Sequence, residues 1–94
     1  MNVEYGVIKL TMTPDEVFSL ATIVGRSLES GYKHWARFGL STFRDMRKQD
    51  ISMMFTLFTA VGRQDLAEHF IGVAEKAIEE EMAARKQSRT KKEG

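Results

Sequence analysis

The chain has 94 residues, 43% hydrophobic and 29% charged, enough for one small domain near the lower limit of what folds alone. Fourteen Lys and Arg against thirteen Asp and Glu leave a net charge of +1, so overall electrostatics select no class of partner. The absence of Cys excludes disulfides, Cys-ligated zinc, iron–sulfur clusters and thiol nucleophiles, and no apolar run reaches the roughly 18 residues of a membrane span.

Residues 3–12 read as a strand in which Ile8, Leu10 and Met12 alternate with Lys9 and Thr11. No Asn-Gly or Asp-Gly dipeptide marks a hairpin, so the reading is of one strand without a partner. Such a strand leaves its backbone donors and acceptors unmet unless it pairs with a second copy or lies on the helices as an extended arm. Thr13-Pro14-Asp15-Glu16 then opens a helix: Thr13 caps, Pro14 suits the first helical position, and Glu16 completes a capping box. Val17, Leu20, Ala21, Val24 and Leu28 follow at helical spacing, and Gly25 among them either admits a close neighbour or weakens the helix. Ser30-Gly31 ends it.

Between Gly31 and Gly39 lies Tyr32-Lys33-His34-Trp35-Ala36-Arg37-Phe38, with an aromatic at every third position, as in a turn or two of helix. A middle helix runs from Ser41-Thr42 to about Val61, roughly 30 Å if continuous, with Asp50 as the alternative start of a second piece. Phe43, Met46, Met54, Leu57, Phe58 and Val61 form its main stripe. Ile51, Met53, Phe55 and Ala60 widen that stripe to roughly 220°, more than one neighbouring helix covers. Gly62-Arg63-Gln64-Asp65 breaks the chain before the last helix. There Leu66, Phe70, Val73 and Ala77 form one row, and Ala67, Ile71, Ala74, Ile78 and Met82 the next. Residues 88–94 carry no apolar side chain and read as a disordered basic tail on a single domain spanning 1–87.

Catalytic signals are weak. His34 and His69 are the only bases of suitable pKa, and neither stands in a nucleophile, metalloprotease or phosphate-loop motif. Asp65 and His69 share a helix face as metal ligands do, but the same spacing is that of a first-turn helix contact. Consecutive Glu79, Glu80 and Glu81 point about 100° apart and cannot converge on one substrate atom. The expectation is of a chain that is not an enzyme and holds no metal or cofactor.

Binding signals are stronger. From Arg26 to Lys48 six cations face only Glu29 and Asp45, beside Tyr32, His34, Trp35 and Phe38. Cations with interleaved aromatics suit an acidic protein surface or nucleic acid, and Arg85, Lys86, Arg89, Lys91 and Lys92 add to the positive charge. The strand-then-capped-helix order of residues 7–24 resembles the opening of ribbon-helix-helix repressors. That resemblance implies a ribbon of one strand per subunit, with Val7, Lys9 and Thr11 facing DNA bases. The likeness covers under a quarter of the chain, and the insert between Gly31 and Gly39 departs from that family's short connection.

The fold expected is therefore mainly α: an N-terminal strand or arm and three principal helices, the middle one central and either continuous or broken. The function expected is a non-catalytic, self-associating module that regulates or inhibits another macromolecule by docking. Lys33, Trp35, Arg37, Arg44, Arg47 and Lys48 would meet a protein partner, acidic in character, and Ile8, Leu10, Met53 and Phe55 would join a homodimer. The alternative is a nucleic-acid-binding regulator using segment 26–48, the paired strand, or both. The opening residues lack a signal-peptide layout, so the expected location is cytoplasmic, with no membrane partner.

Overall fold

Two residues, Gly6 and Val7, turn the amino-terminal segment back on itself, so what reads as one strand is a hairpin. The computed structural model describes residues 1–93; Gly94 and the side chains of Tyr5, Ile8, Leu10 and residues 88–93 lie outside the described residues. The expected self-association residues Ile8 and Leu10, and the side chains of the expected tail over 88–94, therefore fall outside it.

Strands β1 (Asn2–Tyr5) and β2 (Ile8–Thr11) are antiparallel, with Val3 opposite Leu10 and Glu4 opposite Lys9. Gly6 has φ +61° and Val7 is not in the left-handed region, the pattern of a type II′ turn with Gly first. Gly-X serves this turn as well as Asn-Gly serves its relative, which is why the single-strand expectation fails here. One face closes with a Glu4–Lys9 ion pair at 3.6 Å and a hydrogen bond from Thr11 Oγ1 to Asn2 Oδ1 at 3.0 Å. Val3, on β1, is buried, and β1 packs on the fourth helix. Val7 is fully exposed at the turn, so it does not occupy a base-reading position on a ribbon face.

Five helices follow: α1 (Pro14–Ser30), α2 (Tyr32–Trp35), α3 (Leu40–Met46), α4 (Lys48–Ala60) and α5 (Gln64–Glu93). The capping box forms as its residues require: the Glu16 N–H donates to Thr13 Oγ1 (3.2 Å), and the Thr13 N–H donates to Glu16 Oε1 (3.0 Å). The Thr13 backbone N–H first, and its side chain second, hold the Glu16 carboxyl below the ordinary carboxylate range.

The middle helix is broken, and the break falls at Arg47 rather than at Asp50. Arg47 ends α3 and precedes α4 with φ −105° and ψ 18°, which resets the helical phase. Met46, in the last turn of α3, lies outside the stripe that the spacing assigns it and is 66% exposed, whereas Phe43, Met54, Leu57 and Phe58 are buried. The wide apolar arc of α4 is covered within the chain, by α1 on one side, α5 on another and β1 beyond. Ile51, Met53, Phe55, Ala60 and Val61 lie partly buried against that core.

Three helices, α1, α4 and α5, thus make the body, with Val17, Ala21, Val24 and Leu28 of α1 meeting Ala67, Ala74 and Ile78 of α5 in one core. The Phe70 ring stacks on Phe58 at 5.8 Å, and Phe18 meets Phe58 edge-on at 5.8 Å. On its other side Phe70 presses on Gly25, where an added Cβ would lie 2.7 Å from the ring. Gly25 is therefore the point of close approach between α1 and α5. No helix among the described residues is long and apolar enough to cross a membrane.

Gly25→Ala should destabilise the fold by about 1–2 kcal/mol in urea unfolding, the helix-propensity gain being outweighed by overpacking against Phe70. A Gly25→Ala, Phe70→Leu double variant should lose less than the sum of the single changes. The lowered Glu16 carboxyl stabilises the fold above its unfolded-state pKa, and that contribution disappears as pH falls through its lower folded value. Urea midpoints of the wild type and Glu16→Ala should therefore differ at neutral pH and converge on acidification.

Candidate functional site

The last helix outruns the body it packs on. At 1.5 Å per residue its 30 residues extend about 45 Å, and the molecule is 58 Å along its longest axis. The core-facing row of α5 ends at Ile78, and Met82, one turn on, is 39% exposed. Beside this stretch lie the short α2 turn and the connection that follows it. The angle between them is an open groove of about 660 Å³ lined by Ala36, Arg37, Met82, Ala83, Arg85 and Lys86. A recess of about 390 Å³ continues it, lined by Lys33, His34, Arg37 and Arg85.

Arg85 joins the two walls. Its Nη2 donates to the Lys33 carbonyl at 2.9 Å and its Nε to Glu81 Oε1 at 3.2 Å, an i,i+4 pair on α5. Among the described residues, Lys33 and Arg37 form no ion pair. Lys33 Nζ sits 6.0 Å from the centre of the Tyr32 ring. His34 lies edge-on to Trp35 at 4.8 Å and tilted to Phe38 at 5.3 Å, and Phe38 is 56% exposed. The result is a concave surface with an apolar floor of Ala36, Met82 and Ala83 and a cationic rim.

The six residues expected to meet a partner are not one patch. Lys33 and Arg37 line the groove. Trp35 is partly buried, with its ring against buried Phe43 at 6.0 Å, and braces the groove from behind. Arg44 and Lys48 belong to a separate depression with Ile51, Ser52, Ile71 and Glu75. There Arg44 is neutralised by Glu75, to which it donates through Nε at 2.9 Å and also through Nη2. Arg47 turns inward, its Nε donating to Asp50 Oδ2 at 2.7 Å and its Nη2 to Ser27 Oγ at 3.2 Å. It ties the α3–α4 break to α1.

Two groove residues that carry charge, Arg85 and Lys86, read in the sequence only as part of the basic carboxy-terminal stretch. Fifty-two positions separate Lys33 from Arg85, and no periodicity links them. Met53 and Phe55, expected to join a homodimer, are partly buried against the chain's own core. Both arguments for self-association, an unpaired strand and an uncovered arc, are met inside one chain.

Among the described residues, no three His, Asp or Glu side chains are placed to share a metal ion. Asp65 is engaged by Arg63, with Nε–Oδ1 at 3.1 Å and Nη2–Oδ2 at 3.2 Å. That hydrogen bond is the main reason the Asp65 carboxyl lies below its ordinary range and the Arg63 guanidinium above its own. His69 rests edge-on to Phe70 at 5.8 Å.

No protein-family model matches the chain, and neither a curated protein nor a solved structure is significantly similar to it.

Arg47→Ala should reduce stability by about 1 kcal/mol in urea unfolding, because it removes charge-assisted bonds to Asp50 and Ser27. Arg37→Ala should stay within about 0.5 kcal/mol of the wild type. Comparable losses from both would show that Arg37 is also structural.

Proposed function

We propose that the chain is a non-catalytic binding module that docks onto an acidic polypeptide segment through the groove between α2 and α5, and so regulates the protein carrying that segment. The observation behind this reading is the convergence of Lys33, Arg37, Arg85 and Lys86 on a concave, apolar-floored surface whose described lining residues include no carboxylate, Glu81 meeting Arg85 from along α5. Cations alone would suit any polyanion. The floor of Ala36, Met82 and Ala83 adds apolar area, which rewards a ligand carrying aliphatic side chains between its acidic ones.

Nucleic acid is the weaker fit. Phosphate-backbone binding grows with the number of uncommitted cations spread along a surface. Arg44, Arg47, Arg63 and Arg85 are each paired with a carboxylate, of Glu75, Asp50, Asp65 and Glu81, which leaves few cations for a phosphate backbone. One observation favours the alternative: exposed Phe38 beside His34 offers a stacking surface for a single-stranded base.

Self-association is not needed for this mode of action, since the groove is built from one chain. The expected cytoplasmic site of action fits a Cys-free sequence.

The test is fluorescence anisotropy with two labelled probes, an acidic peptide containing Glu, Leu and a single Ser, and a mixed-sequence single-stranded DNA. The peptide should bind the wild type, and Arg37→Glu should weaken that binding about tenfold or more. A steeply salt-dependent affinity for the DNA, with no binding of the peptide, would establish the nucleic-acid alternative instead.

A further inference from the structure

The groove changes character along its length. Its wider section has the apolar floor, whereas the described residues lining the recess nearest α2 are Lys33, His34, Arg37 and Arg85. All four side chains carry N–H donors. Lys33 and Arg37 carry positive charge that no described carboxylate pairs, whereas the charge of Arg85 is matched by Glu81. Arg37 and Arg85 line both sections, so recess and floor form one continuous surface. Arg85 is already held by Glu81 and the Lys33 carbonyl, which fixes its remaining donors in place before any ligand arrives.

This concentration of donors exceeds what one carboxylate can engage. A carboxylate brings a single charge and two oxygens, whereas a phosphate monoester brings about −1.5 to −2 charges at neutral pH and three acceptor oxygens. Arg and Lys bind such a group through short charge-assisted hydrogen bonds, with Arg supplying directional pairs. Met82 precedes Arg85 by three residues, about 4.5 Å along a helix axis. An extended peptide covers that distance in one to two residues at about 3.3 Å each.

Resting on the polypeptide-docking reading above, we propose that the recess of Lys33, His34, Arg37 and Arg85 receives a phosphorylated serine or threonine of the docked segment. An aliphatic residue one or two positions away in that segment sits on Met82 and Ala83. Phosphorylation of the partner is then the signal that this module reads, and the apolar floor gives the adjoining residue its selectivity.

The experiment compares the acidic Glu/Leu/Ser peptide with the same peptide phosphorylated on its serine, both by anisotropy against the intact chain. The phosphorylated form should bind about tenfold tighter or more. A Lys33→Ala, His34→Ala double variant should weaken the phosphorylated peptide about tenfold more than the unphosphorylated one, and so lose that preference. As a measurement that needs no variant, inorganic phosphate should displace the phosphorylated peptide and shift the amide resonances of residues 33–37, where sodium chloride of equal ionic strength does not. Equal binding of the two peptides would overturn the phosphate assignment and leave the docking reading standing. The same holds for a preference that survives in a folded double variant, or a phosphate titration without effect. Binding of neither peptide would remove both.

Discussion

The Phe70 ring is where three helices become one body. It lies between the face of Phe58 on α4 and the bare backbone of Gly25 on α1, and Phe18 closes on Phe58 from the side. A chain of this size has little apolar area to distribute, so its stability depends on close contact at a few points. Gly25 lowers the intrinsic helicity of α1 yet brings α5 near enough for Ala67, Ala74 and Ile78 to share a core with Val17, Ala21 and Leu28. The local cost sits inside a long helix with a complete capping box at its start, which is where it is best tolerated.

From that body the shape of the groove follows. The row of α5 that faces the core ends at Ile78, but the helix continues, and beyond Ile78 it runs beside the short α2 turn. A single turn cannot cover a helix face, so Met82 and Ala83 are left as a floor and the flanking cations as a rim. Trp35 secures the arrangement from within by lying against Phe43, and Arg85 secures it at the mouth by reaching the Lys33 carbonyl. The groove is thus held at both ends by interactions that no ligand has to supply, which lowers the ordering cost of binding.

The cations of the segment between Arg26 and Lys48 divide into two kinds. Arg47 is a structural part, tying a helix break to α1, and Arg44 is matched by Glu75. Lys33 and Arg37 instead face a concave surface and pair with no carboxylate among the described residues. Net charge hides this division: six cations against two anions describe the segment, but its electrostatic surface depends on which cations the fold has already neutralised.

Much of the architecture was legible in the residues themselves, because it depends on neighbours in sequence. The Thr13-Pro14-Asp15-Glu16 start, the stop at Ser30-Gly31, the break at Gly62-Arg63 and the core row of the last helix all follow from capping chemistry and helical period. The hairpin was legible too, in principle, from Gly6 at the first position of a two-residue turn, although the alternation of residues 7–12 masks it. Tertiary structure decided the rest. The phase break at Arg47 needs Ser27 and Asp50 in place around the guanidinium, and the approach of α1 to α5 needs Phe70 to meet Gly25 across forty-five residues of chain. The groove belongs to the same class: Lys33 and Arg85 share it only because α5 folds back along α2, and local periodicity carries no information about contacts at that separation.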